Sequence, residues 1–122
     1  MVEVICDTSF LIHLATKRIK NIDNIDVEIG QVTFVVPQVV QNELSELIKN
    51  PLKNQTALIT RDFIKNFKII SISGNFADKE LIDYVKKNRA IIGTMDKELK
   101  KQIKEHGGSI MSFSNDKIVL ES

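Results

Sequence analysis

The chain contains little of what marks secreted, disulfide-rich or membrane proteins. Among its 122 residues there are one cysteine, no tryptophan and two prolines. Cys6 has no partner in the same chain, so an intramolecular disulfide is excluded, and the low cysteine content is typical of cytoplasmic proteins. No apolar run approaches the roughly 20 residues that a membrane-spanning helix needs, and the N-terminus lacks the pattern of a signal peptide. We therefore expect a cytoplasmic protein with no membrane partner.

An excess of charge of either sign is also missing. The chain carries 17 Lys and Arg residues against 16 Asp and Glu residues, a formal net charge of +1. Overall charge therefore does not attract nucleic acid, and any such binding depends on local basic clusters or on bound metal. Apolar residues make up 43% and charged residues 27%, the balance of a globular protein. The length predicts a single domain over residues 1–122.

Short apolar stretches rich in β-branched residues recur along the chain and predict strands. They lie at 2–6, 32–36, 68–72, 90–93 and 109–113, with a short edge strand at 118–120. Amphipathic stretches of useful length separate them. This alternation predicts an α/β sandwich around a mostly parallel central sheet.

The amphipathic stretches predict five helices. The first begins at Thr8 or Ser9, either of which can cap it, and the others lie at 37–50, 54–66, 76–88 and 95–106. In the helix at 54–66, Ile59, Phe63 and Phe67 recur at helical spacing and are predicted to face the core. For residues 20–31, a short helix and a packed loop fit the pattern equally well.

Four acids lie at positions where a solvated surface acid is not expected. Asp7 ends the first strand, and Glu43 shares a helical row with apolar residues in the middle of a helix. Asp78 and Asp96 precede the apolar stripes of their helices by one turn and are predicted to face inward. Asp7 and Asp96 also follow strands directly, and a parallel sheet brings such strand ends to one edge. We expect the four carboxylates to converge.

Each acid except Glu43 has a structural alternative. Asp78 and Asp96 lie where helix capping and the helix dipole favour acids, and Asp7 fits a turn at the strand end. If the four converge, their mutual repulsion is usually relieved by Mg²⁺ or Mn²⁺, because hard oxygen ligands suit hard cations. No Cys/His set has zinc spacing, and the two histidines, at positions 13 and 106, are interpreted as surface or helix-end residues.

The motifs around these acids resemble those of the PIN-domain family of metal-dependent ribonucleases. The resemblance spans nearly the whole chain and keeps the family's order of motifs. It implies a three-layer α/β/α sandwich with a short, mostly parallel sheet. One departure is Met95, where many members have Asn. The matching motifs are Asp7-Thr8-Ser9-Phe10-Leu11, Glu43, Ala77-Asp78 and Thr94-Met95-Asp96-Lys97-Glu98-Leu99.

The resemblance also implies a function. The chain would be an endoribonuclease that uses Mg²⁺ or Mn²⁺ to hydrolyse RNA phosphodiester bonds, with one or two metal ions. Few aromatic residues are available, which favours contacts to phosphates and RNA shape over base stacking. The acidic metal pocket would be Asp7, Glu43, Asp78 and Asp96, and the polar supports Thr8, Ser9 and Thr94. Apart from the resemblance, Lys97 and Lys100 lie close to one helical face beside this pocket and are candidates to bind phosphates, with an ordinary solvated helix surface as the equal alternative.

Two biological roles and two other functions stay open. A VapC-type toxin would have an antitoxin partner over the acidic cleft, whereas an rRNA-processing nuclease would work in a ribonucleoprotein. The compact single domain fits either role, and the family resemblance also implies a homodimer, for which the sequence shows no clear interface. A PIN-like module that binds RNA or protein without catalysis is the first alternative. The second is a receiver-type signalling domain, but the Asp after the third strand and the Lys after the fifth that it needs are both absent.

Overall fold

The computed structural model describes residues 2–19 and 31–121, and the stretch at 20–30, with its open choice of helix or loop, lies outside them. The strands in the described part are β1 (Val2–Cys6), β2 (Val32–Pro37), β3 (Lys68–Ile70), β4 (Ile91–Gly93), β5 (Ser109–Ser114) and β6 (Lys117–Glu121). The helices there are α1 (Thr8–Thr16), α2 (Gln38–Ile48), α3 (Asn54–Phe63), α4 (Ala77–Lys87) and α5 (Lys97–Glu105).

The strands form one sheet in the order β3-β2-β1-β4-β5-β6. The first five strands are parallel to their neighbours, and only β6 runs antiparallel, against β5. With helices flanking it, this sheet confirms the predicted α/β sandwich. The strand order changes direction between β1 and β4, because β1 leads outward to β2 and β4 leads the opposite way to β5. Open α/β sheets bind their ligands at the carboxyl edge beside this switch point.

The core lies on both sides of the central strands. Val4, Val35, Ile92 and Ile110 are fully buried, one on each of four adjacent strands. This explains why the strands read as continuous apolar runs and not as alternating ones, since a parallel sheet is covered on both faces. Cys6 is buried among them as a free thiol, and burial raises its pKa. The core therefore fixes the strand ends from which the candidate site is built.

Phe10 fixes the start of α1 against the sheet. Its ring has no exposure and stacks on Phe113 with a centroid distance of 4.8 Å, and Phe34 lies 5.9 Å away on its other side. Gly93 makes this approach possible, because a Cβ at that position would lie 3.0 Å from the Phe10 ring. The end of β4 and the first turn of α1 are thus held together directly beside Asp7.

The inward face predicted for α3 is wrong for two residues. Ile59 and Phe63 are 47% and 45% exposed, whereas Ala57 and Thr60 are buried. The helix packs on α1 and α2 through these smaller side chains, which allow a closer approach of the backbones. Phe67 lies past the helix and is partly buried, with its ring 6.4 Å from that of Phe34. The hydrophobic pattern alone is compatible with burial of either face of α3.

Several helix starts also differ from the expectation. Asp7, and not Thr8 or Ser9, caps α1, because its carboxylate accepts the Phe10 N–H. The helices predicted from 76 and 95 begin at 77 and 97. His13 lies in the last turn of α1, as expected for a helix-end residue, and its ring stacks on Phe113 with its Nε2 atom 3.9 Å from Asp116 Oδ1. None of the helices in the described ranges is long and apolar enough to cross a membrane.

Candidate functional site

Asp7 is the buried centre of the site. It leaves β1 at the switch point and is 4% exposed. Its Oδ1 atom accepts hydrogen bonds from the Phe10 N–H at 2.9 Å and the Ser9 hydroxyl at 2.8 Å, and its Oδ2 atom accepts one from the Thr94 hydroxyl. Burial raises the pKa of Asp7, the three hydrogen bonds oppose that rise, and the nearby Asp78 adds to it. The carboxylate is held rigidly in one orientation.

Two hydroxyl groups join the loop after β4 to Asp7. The Ser9 hydroxyl donates to Asp7 and accepts the Met95 N–H at 3.1 Å. The Thr94 hydroxyl donates to Asp7 and accepts the Asp96 N–H at 3.1 Å. Each hydroxyl therefore uses both a donor and an acceptor position. The departure at Met95 is accommodated here by its backbone, which takes the hydrogen bond without help from the side chain.

Glu43 connects three helices. Its Oε1 atom accepts the Thr8 hydroxyl at 2.6 Å, and its Oε2 atom accepts the Ala77 N–H at 3.3 Å. Phe76, the residue that precedes α4, provides no capping side chain, so Glu43 satisfies the first N–H of α4 from a different helix. A mid-helix acid thus has a capping role after all, and only the tertiary structure creates it.

Asp78 and Asp96 are exposed, contrary to the inward orientation expected for both. Partial burial raises the pKa of Asp78, and the charges of Asp96 and Glu43 raise it further. Hydrogen bonds place the segments that carry the four acids at the carboxyl edge of the sheet: the Thr94 hydroxyl joins Asp7 to the Asp96 N–H, and Glu43 accepts the Thr8 hydroxyl and the Ala77 N–H, next to Asp7 and Asp78 in the chain. Asp96 caps α5 through a 3.0 Å hydrogen bond from the Leu99 N–H. Asp96 therefore caps α5 and also belongs to the acidic region.

The acidic region lacks a compensating positive charge. Within residues 2–19 and 31–121, none of the four acids forms an ion pair with a Lys, Arg or His side chain. Four carboxylate groups without a cation suit a hard divalent ion. The same residues contain no group of three or more His, Cys, Asp or Glu side chains arranged to hold a metal ion. The carboxylate oxygens of the four acids are suitable ligands for a divalent metal, but the described side chains do not surround a common metal position.

The two candidate lysines have different surroundings. Lys97 is exposed at the first turn of α5, directly after Asp96. Lys100 instead forms an ion pair with Glu121 at 3.2 Å. Glu121 pairs in the sheet with Ile110 near the start of β5, whereas Asp7 and Asp96 follow the carboxyl ends of β1 and β4. This ion pair directs the Lys100 ammonium group away from the acids, which leaves Lys97 as the lysine beside them.

The sequence motifs did not point to Phe76 or to a groove along α2. Phe76 is 69% exposed and lies two residues before Asp78. A groove of about 330 Å³ runs between α2 and the loop after β3, and Glu43 lines one end of it. The available signal was a lone aromatic residue beside a candidate carboxylate, in a chain with only 6% aromatic residues.

Comparison with known proteins identifies the family. A model described as a PIN-like domain matches residues 4–115. The chain belongs to the PIN-like domain family. Ribonuclease VapC4 of Methanocaldococcus jannaschii is 31% identical over 121 residues, covering 91% of this chain and 89% of the relative. The PIN domain endonuclease Utp24 is similar in structure, with a TM-score of 0.75 and 25% identity over 98% of this chain and 90% of that one.

Membership in the PIN-like family explains the arrangement of the site. The relative found by sequence is a ribonuclease, and the relative found by structure is an endonuclease. PIN nucleases generally use divalent metal ions. This is the family that the four motifs resembled, so a receiver-type signalling domain is no longer an alternative. In this PIN-like domain the acidic region lies at the switch point of the sheet, with α1 and α5 both beginning there.

Proposed function

We propose that this PIN-like domain is an endoribonuclease that uses Mg²⁺ or Mn²⁺ to hydrolyse RNA phosphodiester bonds. What supports the proposal is the set of hydrogen bonds that brings the segments of Asp7, Glu43, Asp78 and Asp96 together, where none of the four acids pairs with a Lys, Arg or His side chain of the described residues. The relatives, a VapC ribonuclease and a PIN endonuclease, support nuclease chemistry at this place. Four carboxylates would accept a divalent ion and, through it, a phosphate group that they would otherwise repel.

Each residue of the site has a part in this proposal. A divalent ion there would act as a Lewis acid on the phosphate and lower the pKa of a bound water. Asp7 is the central ligand, because Ser9 and Thr94 fix its carboxylate. Asp78 and Asp96 would be further ligands of the ion, and Glu43 or Asp78 would orient the attacking water. Lys97 binds a phosphate of the RNA.

The sequence relative supports one of the two biological roles that the motifs left open. A 31% identity to a VapC ribonuclease over nearly the whole of both chains supports a cytoplasmic toxin whose antitoxin covers the acidic cleft. The structural likeness to the PIN domain endonuclease Utp24 supports endonuclease chemistry, and an RNA-processing nuclease in a ribonucleoprotein is the alternative role. Growth arrest on expression without a neighbouring gene, relieved by co-expression of that gene, would support the toxin. Normal growth at full expression would refute it.

We also propose that a second copy of the chain covers the exposed face of α3. Leu52, Ile59 and Phe63 are 94%, 47% and 45% exposed on this side. Arg61 and Asp62 are exposed beside them, so the face carries both signs of charge and can pair with itself about a two-fold axis. Ile59→Glu would place a carboxylate in the middle of this face.

Asp7→Asn tests the catalytic proposal. Asn is close in shape and retains an oxygen for the Phe10 N–H, so we expect the fold to survive and Mn²⁺-dependent RNA cleavage to disappear. Asp83→Asn is the matched control, because Asp83 is an acid of α4 whose ion pair is with Lys86 and which lies outside the acidic region. Cleavage of labelled RNA with and without MnCl₂ measures both variants. Full activity of Asp7→Asn would refute the site.

One observation favours a second candidate, a PIN-like module that binds RNA or protein without cutting. The described side chains are not gathered around a metal position. Melting curves with MnCl₂ separate the two functions. A ligand at about 100 times its dissociation constant stabilises a protein by roughly 2.7 kcal/mol. A Mn²⁺-dependent rise that is lost in Asp7→Asn supports the enzyme, and the absence of any rise together with RNA binding supports the module.

A further inference from the structure

The carboxylate of Glu121 on β6 is held by three donors from two other elements. Its Oε2 atom accepts the Ser112 hydroxyl of β5 and the Lys100 ammonium group of α5 at 3.2 Å, and its Oε1 atom accepts the Lys104 ammonium group at 3.1 Å. Ser112 is 1% exposed, so one side of this contact is fixed by the core. Lysine ammonium groups and a hydroxyl are also the donors with which proteins bind phosphate.

Two of these donors belong to a row of lysines on α5. Lys97, Lys100 and Lys104 are spaced by three and four residues, so they lie along one side of the helix. The row begins next to Asp96 in the acidic region and extends about 10 Å along the helix axis, at about 1.5 Å per residue. An RNA with one phosphate at the acids can therefore place further phosphates along this row.

Glu121 occupies two of the three lysines. Lys97 forms no ion pair with another described residue, whereas Lys100 and Lys104 both pair with Glu121. The side chains of Glu121, Lys100 and Lys104 are 33%, 21% and 37% exposed. Ion pairs that water reaches contribute little to stability, so a phosphate of an RNA that is already bound nearby can replace the carboxylate.

We propose that Lys100 and Lys104 form a phosphate-binding site on α5 that the Glu121 carboxylate occupies until an RNA phosphate displaces it. The inference rests on the proposed ribonuclease function and adds a means of regulation to it. Glu121 is an internal competitor that lowers the affinity of α5 for RNA without contacting the acids. The site lies away from the carboxyl edge of the sheet, because Glu121 pairs with Ile110 near the start of β5.

Removal of the competing charge tests the proposal. Glu121→Gln keeps the shape of the side chain and frees both ammonium groups. The probe is a short, fluorescein-labelled RNA of mixed sequence, and its binding is followed by anisotropy in EDTA, which prevents metal-dependent cleavage. The slope of log K against log[KCl] should steepen by about 0.7 to 1.4, the effect of one or two further phosphate contacts. The gain in affinity over the wild type should therefore grow about 3-fold or more between about 200 and about 50 mM KCl.

Glu98→Gln is the matched control. It removes one negative charge, as Glu121→Gln does, but the Glu98 carboxylate accepts a hydrogen bond from Gln102 and lies outside the contact with Lys100 and Lys104. Its slope should equal that of the wild type. An equal change of slope in Glu98→Gln and Glu121→Gln would overturn the inference, because the net charge alone would then explain the gain.

Lys104→Gln in two backgrounds tests the competition directly. It should leave the slope unchanged when Glu121 is present, because Glu121 already neutralises that ammonium group, and should lower it by about 0.7 in Glu121→Gln. Circular dichroism at the temperature of the binding assay checks that each variant is folded. Lys104 is at an exposed position, so the single variant tests the inference even if Glu121→Gln does not fold. A loss of slope in Lys104→Gln alone would refute the competition.

Cleavage with Mn²⁺ distinguishes failure of this inference from failure of the proposed function. If cleavage is lost in Asp7→Asn while Glu121→Gln binds RNA like Glu98→Gln, only the competition by Glu121 is overturned. If the wild type neither cleaves RNA nor gains stability from Mn²⁺, yet Glu121→Gln alone steepens the slope, the nuclease is overturned and the phosphate site is retained.

Discussion

Replacing Asp96 by Asn and by Ala separates two roles that the structure gives to one side chain. The carboxylate accepts the Leu99 N–H at 3.0 Å and so caps α5. Its charge also acts on Asp78, whose pKa it helps to raise. Asn caps a helix as well as Asp does but carries no charge, whereas Ala removes both the cap and the charge. The two variants therefore differ by the cap alone.

The expected magnitudes follow from these contacts. Loss of an N-cap costs about 1 kcal/mol, and a domain of this size loses roughly 4 °C in melting temperature per kcal/mol. Relief of repulsion between two exposed acids contributes only about 0.2–1 kcal/mol. In the absence of metal, Asp96→Asn should therefore melt slightly above the wild type, and Asp96→Ala should melt about 4 °C below Asp96→Asn.

The assay is a thermal melt followed by circular dichroism, in EDTA and in MnCl₂. Both Asp96 variants should lose the stabilisation by Mn²⁺, because each lacks a proposed ligand. Glu98→Gln is the control: Glu98 is an acid of the same first turn of α5, and its carboxylate bonds to Gln102 and not to the acidic region. Equal melting of the Asn and Ala variants would refute the cap. Full Mn²⁺ stabilisation of both would refute Asp96 as a ligand.

Two further predictions concern parts of the chain away from the acids. The Ser112 hydroxyl and the ammonium groups of Lys104 and Lys100 lower the pKa of Glu121 from 4.5 to about 2. Because the folded pKa is the lower one, this contribution to stability is present above about pH 4.5 and is lost as the pH falls toward 2. Glu121→Gln should therefore destabilise the protein by about 1 kcal/mol near neutral pH, because partial exposure limits the effect. The difference in stability from the wild type should vanish in thermal melts at acid pH. A difference that does not depend on pH would contradict this. Ile59→Glu should sediment as a monomer where the wild type sediments as a dimer, and an unchanged sedimentation coefficient would exclude this face of α3 from the interface.

The sequence determined the strands and the helices, and it singled out four acids whose role as metal ligands stays a prediction. Hydrophobic periodicity and β-branched runs are local properties, so the alternation of strands and helices could be read directly. The four acids stood out because three are tied to strand ends or helix starts and Glu43 lies in mid-helix. Their convergence followed from the parallel sheet, since strand ends that share one edge bring Asp7 and Asp96 together.

Only the tertiary structure decided which face each helix buries and what each polar group contacts. Ile59 and Phe63 fit the helical period as well as Ala57 and Thr60 do, and the close approach of α3 to α1 and α2 selected the smaller pair. Glu43 became a cap for α4 because residues 34 positions apart met in space. These outcomes depend on long-range packing, which leaves no trace in local periodicity, and the exposure of Phe76 beside the acids arose in the same way.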